Sequence, residues 1–320
     1  MLVLTSERLR LRWFESSDAP YVLEQLLEPS WIKNIRDPGV HDLAAAQSWM
    51  EEKLFAGYWA SGLGLWAVER ASDGQVLGMC GLLQRDYLPA PDIGYAFLPR
   101  FWGQGYAREA AAACLAYARD VLGQQRLFAS TALDNAPSQK VLQSIGFRHQ
   151  EDVALDGNAG LSRLFIWEDG SEACRPDIHS EGSSEGNGDA QIQALLQRFS
   201  SAFNNGQGRV PQVSALPFWM LGRAAISLGD ADASGCLSLR EFMRQRAELL
   251  GPGGRWTEVE QRVSSLRLER HGQIAHAWLS VQMSGRDAGQ AFERESLQSI
   301  QLLRQGKAWK IAALACTGGR

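Results

Sequence analysis

The sequence predicts two folded domains of different architecture, a mixed α/β layer over residues 1–168 and an α+β domain over residues 191–320. Three observations predict it. The chain's 320 residues exceed the roughly 100 to 200 residues of one ordinary domain. Residues 169–190 are rich in Gly, Ser and acids and offer almost nothing to bury, so they cannot offset their ordering entropy and read as a flexible linker. Strand and helix signals alternate before this break, whereas after it helices come first and a long run of strands follows. No internal repeat interrupts either half.

In the first half, residues 7–13 alternate charged and apolar side chains, the period of a half-buried strand. Asp18 stands as an N-cap with Pro20 in the first turn, predicting a helix through Leu27, and a second helical stretch covers residues 43–54. Strands follow at 65–69, 76–83 and 92–98, separated by Ser72-Asp73-Gly74 and Pro89-Ala90-Pro91, both turn sequences. The alanine-rich run 107–122 is the strongest helix in the chain. A strand at 126–132, a helix at 136–145 stopped by Gly146, and strands near 147–155 and 162–167 complete the half. In the second half, helices are predicted near 192–205 and 239–250. Strands are predicted near 224–228, 263–269, 274–283, 294–303 and 309–316, with Arg304-Gln305-Gly306-Lys307 turning the last hairpin.

Composition narrows the class. A chain 45% hydrophobic and 21% charged is globular rather than disordered or collagen-like. No run reaches the roughly 18 apolar residues of a membrane span, and the apolar Met1-Leu2-Val3-Leu4 is cut short by Glu7-Arg8-Leu9-Arg10 before a signal sequence can form. A cytoplasmic protein without membrane association is the expectation. Cys80, Cys114, Cys174, Cys236 and Cys316 are odd in number and lack metal-ligand spacing, so they read as reduced thiols, with no zinc site. The net charge of -4 conceals an asymmetry. Residues 1–168 carry 15 basic against 20 acidic side chains, residues 169–190 one against six, and residues 191–320 sixteen against ten. The basic residues of the tail are scattered rather than clustered and lack interleaved aromatics, so no nucleic-acid partner is expected.

The segment Asp92-Ile-Gly-Tyr-Ala-Phe-Leu-Pro-Arg-Phe-Trp-Gly-Gln-Gly-Tyr-Ala107 carries the chemistry. A strand runs into a loop with glycines at 103 and 105 and then directly into a helix. Glycines let a ligand approach the backbone, and a helix N-terminus offers unpaired N–H groups and a positive dipole end, together a pyrophosphate site. No Gly-Lys-Ser/Thr follows, so this is not a Walker A loop, and Arg108 excludes a dinucleotide fingerprint.

Arg100-x-x-Gly103-x-Gly105 matches the acyl-CoA signature of the GCN5-related N-acetyltransferases (GNAT). Thr5-Ser-Glu-Arg-Leu-Arg-Leu-Arg12 with Asp18, the tripeptide Ile93-Gly94-Tyr95, and Asp134-Asn135-x-x-Ser138-x-x-Val141-Leu142-x-x-x-Gly146-Phe147 resemble the ribosomal-protein (RimJ/RimL-like) branch of that family, in family order. The resemblance covers residues 1–168. It implies a GNAT fold with a splayed central sheet, and acetyl-CoA as cosubstrate in a cleft between the strands at 92–98 and 126–132. Backbone groups of Phe97 and Leu98 would pair with the pantetheine arm, and the amides of Arg100, Gly103, Gln104, Gly105, Tyr106 and Ala107 would hold the pyrophosphate. Asn135 and Ser138 share a helical face and would meet the pantetheine arm and sulfur; Asn135 is equally placed to cap that helix, and the two roles coexist.

Transfer of acetyl to an amine needs a free nitrogen lone pair, a donor for the tetrahedral oxygen and a partner for the departing thiolate. Ser138 is the candidate acid, and a thiol of pKa about 8.5 leaves it a modest task. A strand amide near Leu98 is the candidate oxyanion donor, worth about 3 kcal/mol by analogy. Asp92 is the candidate base, although as the first residue after Pro91 it also reads as a strand start. A weak base serves an α-amine, of pKa near 7.7 to 8.0, better than a lysine of about 10.4, which favours a protein N-terminus or a small-molecule amine as acceptor. The segments 31–39 and 83–91 are the expected acceptor loops. The competing reading is an acetyl-CoA or ligand sensor without turnover.

In the second half, Asp230 to Glu241 fit the ligand positions of a calcium loop, but the sequence before it lacks an entering helix and Ser238-x-x-Glu241 is also a capping box. No metal is therefore expected. Residues 191–317 resemble the NTF2/SnoaL-like α+β cone in element order and in the last hairpin. Residues 274–283 alternate Ala275, Ala277, Leu279, Val281 and Met283 with His276, Trp278, Ser280 and Gln282, so one face packs and the other lines a pocket or a homodimer interface. No acid is placed beside His276, which reads as an ordinary sheet residue.

Overall fold

The computed structural model describes residues 1–155, 160–170, 184–229 and 236–317, with residues 184–187 described at the backbone alone. The chain forms two compact units, Met1–Tyr58 with Leu63–Arg175 and Trp59–Gly62 with Pro176–Arg320.

The first unit comprises β1 (Leu2–Thr5), β2 (Leu9–Arg12), α1 (Ala19–Leu27), α2 (Pro29–Asn34), α3 (Leu43–Met50), α4 (Ala56–Ser61), β3 (Gly64–Arg70), β4 (Val76–Leu83), β5 (Asp92–Phe97), α5 (Tyr106–Asp120), β6 (Arg126–Ala132), α6 (Ala136–Ser144), β7 (Arg148–Ala154) and β8 (Leu161–Glu168). Its eight-stranded sheet has the order β1-β2-β3-β4-β5-β6-β8-β7. Every neighbouring pair is antiparallel except β5 and β6, which run parallel and meet only at Asp92↔Phe128. The sheet is therefore hydrogen-bonded as two blocks that part company at β5.

The alanines of α5 explain how closely it lies on the sheet. Ala110, Ala111 and Ala118 are fully buried, and their small side chains bring the helix near enough for Cys114 Sγ to sit 3.5 Å from Cys80 Sγ on β4 and for Tyr117 to meet the buried Trp66 ring edge-on at 5.5 Å. Trp66 is 0% exposed, a site where truncation to Ala costs about 3 to 5 kcal/mol.

Several local expectations need correction. Strand β1 is an element the sequence reading did not separate from the strand after it. The segment expected as an acceptor loop at 31–39 begins within a helix: Pro29 opens α2 and Trp31 is buried. The helix expected over 43–54 changes register at Met50, where a wider turn spans Glu51–Phe55 before α4. Asp18 does stand at the N-cap of α1, yet its side chain makes no cap bond. Its carboxylate accepts instead from the Arg12 guanidinium at 2.7 and 2.9 Å and from Glu15 N–H at 2.8 Å, a two-pronged pairing with a cation that outweighs a single bond to a backbone amide.

The second unit contains α7 (Ser184–Ser201), α8 (Leu216–Trp219), β9 (Met220–Gly229), α9 (Leu239–Leu250), β10 (Trp256–His271), β11 (Ile274–Asp287), β12 (Gln290–Gln305) and β13 (Ala308–Thr317). Helix α7 starts eight residues before the position expected from sequence, so residues 184–190 of the expected linker are helical; residues 171–183 lie outside the described residues. The five-stranded sheet has the order β10-β11-β12-β13-β9. The meander β10 to β13 is antiparallel as expected, but β9 joins the edge parallel to β13. The buried face carries Ala275, Ala277, Leu279, Val281, Ile300, Leu302 and Leu314. The helices contribute Ile192, Leu196, Phe199, Phe242 and Met243 to the apolar interior, with Phe203 edge-on to both Phe199 and Phe242. Ser238 and Glu241 form the expected capping box at the start of α9, Glu241 N–H donating to Ser238 Oγ at 3.3 Å and Ser238 N–H to Glu241 Oε2 at 2.9 Å. Residues 230–235 of the calcium-loop pattern lie outside the described residues.

Candidate active site

The gap between β5 and β6 organises the first unit's chemistry. At its closed end Phe128 N–H donates to Pro91 C=O at 3.0 Å. Beyond that point the two strands have no pairing. The open edge of β5 follows from its register with β4. Leu98 N–H donates to Leu77 C=O at 3.3 Å, and backbone direction alternates along an antiparallel strand, so the amides of Tyr95 and Phe97 are the ones turned toward the gap. This corrects the reading of Leu98 as oxyanion donor and pantetheine partner, since its N–H is committed to β4 and its C=O accepts from Phe101 N–H at 2.9 Å. Phe97 keeps its N–H on the open edge, while its C=O accepts from Trp102 Nε1 at 2.7 Å.

The glycine loop lies at the open end. After the single turn Pro99–Phe101, Gly103 and Gly105 adopt φ of 73° and 82°, left-handed values that a side chain at either position would resist. Gly105 caps α5 without any side-chain acceptor, so the first-turn N–H groups keep their anion-binding capacity. A negative Glu109 in that first turn would oppose an anion. Arg8 and Ser6 neutralise it: Glu109 accepts from Ser6 Oγ, Arg8 N–H and Arg8 Nε, each at 2.7 Å. Burial pushes the Glu109 carboxyl up, but these donors together hold it below its ordinary value. Arg8 also donates to Gln104 C=O at 3.0 Å and covers the Tyr106 ring at 4.7 Å. Nothing in the sequence pattern singled out Arg8 as a brace of this loop, because the partner residues are about a hundred positions away. The Arg100 side chain is engaged elsewhere, forming a two-pronged ion pair with Glu24 of α1 and lying over the Phe101 ring at 5.0 Å.

Midway along the gap, α6 presents Ser138. Asn135 is the N-cap of this helix, its Oδ1 accepting from Ser138 N–H at 3.3 Å. Tyr95, which the sequence reading noted only within a tripeptide, places its hydroxyl 2.9 Å from Ser138 Oγ and 2.9 Å from Ser138 C=O. Burial pushes the Tyr95 phenol well above its ordinary value, against the pull of the Ser138 bond. Alternation along β5 would have put Tyr95 on the face opposite Asp92, which is the signal that was legible.

Asp92 sits at the closed end, 3% exposed, with Arg85 Nε 3.0 Å from both carboxylate oxygens. Burial raises the Asp92 carboxyl above its ordinary range despite the opposing pull of Arg85. A base needs this direction of shift, because a stronger proton affinity makes a better acceptor near neutral pH. Arg85 lies in the loop from β4 to β5, where Gln84, Arg85, Asp86 and Tyr87 line an open pocket of about 470 Å³. Side chains alternate faces along a strand, so Asp92 and Tyr95 lie on opposite faces of β5, about 10 Å apart along its length.

The sequence profile of the acetyltransferase (GNAT) domain matches residues 8–148. The Bacillus subtilis (strain 168) protein YkkB, described as uncharacterized, is 30% identical over 154 residues, covering 47% of this chain and 87% of YkkB. The uncharacterized N-acetyltransferase YoaA of the same organism is 24% identical over 172 residues, covering 53% of this chain and 90% of YoaA. Among solved structures, an acetyltransferase from Agrobacterium tumefaciens str. C58 covers 52% of this chain and 95% of its own, with a TM-score of 0.46 and 23% identity.

Proposed function

Because this chain belongs through its first unit to the GNAT acetyltransferase family and is an acyltransferase, we propose that it carries acetyl from acetyl-CoA to a protein N-terminal α-amine or a small-molecule amine by direct attack in the gap between β5 and β6. The carrying observation is the gap itself, a sheet whose hydrogen bonding lapses between the glycine loop and Asp92. The residues present suit the cosubstrate. The amides from Gly103 to Ala107 would take the pyrophosphate, the open edge of β5 at Tyr95 would pair with the pantetheine arm, and Asn135 would flank it. Phe97 N–H replaces Leu98 N–H as the oxyanion donor.

In this reading the amine approaches from the Asp92 face and its nitrogen attacks the thioester carbon. Asp92, or a water held against it, takes the nitrogen's proton. The carbon–sulfur bond breaks with its electron pair left on sulfur, beside Ser138. A serine alkoxide is far more basic than a thiolate, so Ser138 acts as a hydrogen-bond donor to sulfur rather than as a net source of protons. Arg85 must loosen from Asp92 for the carboxylate to accept a proton, which makes the pocket at residues 84–87 the acceptor entrance.

For the second unit we propose a noncatalytic role in an NTF2/SnoaL-like cone, with the first domain ending near residue 168 and the second opening with α7 at Ser184 rather than near residue 191. Support comes from its opening helix, its middle helix and its run of long antiparallel strands. The face opposite the core carries Trp278 stacked on His276 at 3.9 Å, Arg267 over Trp278 at 5.0 Å, and Ser299 Oγ 2.7 Å from His276 Nε2. Glu269 is the register partner of His276, an acid the sequence reading did not place there. Self-association through this face is proposed, and light scattering of the full chain against a Trp278→Glu variant tests it: equal masses would remove the idea.

Release of free CoA thiol from acetyl-CoA, across a panel of peptides with free N-termini and small amines, tests the catalytic reading. Turnover with at least one acceptor, lowered about 10- to 100-fold in Ser138→Ala with little change in KM for acetyl-CoA, is expected. Tight acetyl-CoA binding with no turnover on any acceptor would favour the sensor instead.

A further inference from the structure

Ser138 has a hydroxyl with one proton, and that proton serves the departing sulfur only if nothing else claims it. Tyr95 has the same economy. Its phenol lies 2.9 Å from Ser138 Oγ and 2.9 Å from Ser138 C=O, and one O–H satisfies one of these acceptors at a time. When Tyr95 donates to the carbonyl, the two hydroxyls can bond only with Ser138 as donor, and the serine proton is consumed. When Tyr95 donates to Oγ, the serine proton is released toward the gap.

We propose that Tyr95 is a positioning residue that decides whether the Ser138 proton is available to the leaving sulfur, the two hydrogen-bond arrangements being the idle and the working state of the same heavy atoms. The inference rests on the reading of Ser138 as donor to sulfur. As the carbon–sulfur bond breaks, the electron pair stays on sulfur, Ser138 O–H donates to it, and the charge drawn onto Oγ strengthens the bond it accepts from Tyr95. No proton changes owner in this step. The thiolate takes its proton from water after release, and the phenol stays neutral throughout because burial opposes its ionisation. Placement supports the assignment: Tyr95 is on β5 at the lapse in pairing, and α6, which carries Ser138, is the helix that follows β6. The pair therefore spans the two blocks of the sheet.

Four proteins decide the matter: the wild type, Tyr95→Phe, Ser138→Ala and the double variant, each checked for an unchanged melt. Tyr95→Phe is expected to lower kcat about tenfold, the worth of one hydrogen bond, with KM for acetyl-CoA unchanged. The same change made in Ser138→Ala should have no further effect, since a residue acting through another loses its influence when the other is gone. A second readout needs no acceptor. Ultraviolet difference titration of CoA bound to each protein should show its thiol ionising at lower pH in the wild type than in either single variant. An equal loss from Tyr95→Phe in both backgrounds would make its role structural and overturn the proposal. A loss from Ser138→Ala with none from Tyr95→Phe would overturn the inference while leaving the reading of Ser138 intact. No effect of Ser138→Ala on kcat or on the thiol would overturn both.

Discussion

Strands β11 and β12 pair residue for residue from Ile274↔Leu303 to Asp287↔Gln290, whereas β5 and β6 touch only at Asp92↔Phe128. In the complete ladder every backbone donor and acceptor between the strands is used, and chemistry is left to side chains that alternate between a packed and an open face. In the lapsed ladder the backbone itself becomes available, and the two side chains of the proposed chemistry on β5, Asp92 and the Tyr95 that bonds Ser138 of α6, lie on opposite faces of that strand. A sheet that pairs completely can support or display; a sheet that stops pairing can also admit a substrate. The comparison also separates two kinds of burial. Asp92 is almost wholly buried with one cation against it, while the second sheet buries aliphatic residues.

The sharpest way to break the comparison is at the glycine loop. The left-handed φ of 73° at Gly103 costs an Asp there about 1 to 2 kcal/mol, but its Cβ meets no atom within 4 Å, so Gly103→Asp should fold with slightly lower stability. It puts a carboxylate where the cosubstrate's pyrophosphate is expected and should lower acetyl-CoA affinity more than about 100-fold. Calorimetry on a variant with wild-type circular dichroism checks this, and unchanged affinity would remove the site assignment. Next in size, Asp92→Asn should cut kcat/KM about 100-fold. In the wild type, activity should rise with pH as Asp92 loses its proton, above the ordinary carboxylate range because burial raises it; that limb should vanish in the variant, and its persistence would point to a different base. On the other side of the comparison, Ile300→Ala empties a site that is 0% exposed and should cost about 3 kcal/mol of the second unit's stability while leaving acetyl-CoA affinity untouched. Chemical denaturation and calorimetry on one sample measure both. The smallest effect is expected at Asp152, held down to about 2 chiefly by Arg163, against a small opposing burial effect and with help from His149. Because its folded value is depressed, its contribution is present above the ordinary carboxylate range and lost as pH falls toward about 2. Asp152→Asn should therefore lower the melting temperature slightly at neutral pH, flatten the acid limb of its profile, and change nothing near the low pH at which the wild-type carboxylate is already protonated.

What was legible in the sequence divides along physical lines. The strands and helices around the glycine loop, the loop itself and Asn135 as a helix cap follow from local patterns: alternation, capping residues, two glycines before a helix; Ser138 was singled out by the family resemblance. For Arg100 a motif position says which residue type is present and not what its side chain does; the guanidinium is claimed by Glu24 of α1, while the reading of its backbone amide is untouched by that pair. Leu98 misled by one residue, and one residue reverses the direction of a strand's amides. Tyr95, Arg85 and Arg8 were missed because each acquires its meaning from a partner in space. The early start of α7 defied a composition argument that reads Gly and Ser as linker, and the parallel attachment of β9 has no local signal at all.

The bracing of the glycine loop by the first strands also bears on how the protein is made. Glu109 is held by Ser6 and Arg8, partners 103 and 101 positions earlier in the chain. Closing a loop of that size is entropically costly and slow compared with forming a helix. Helix α5 is rich in good helix formers, whereas the brace on its first turn must wait for the return of residues 6–8, the turn between β1 and β2 made long before. A chain still being synthesised would thus hold the helix before the cradle. Competence to bind would emerge as a late event, set by the return of the N-terminus.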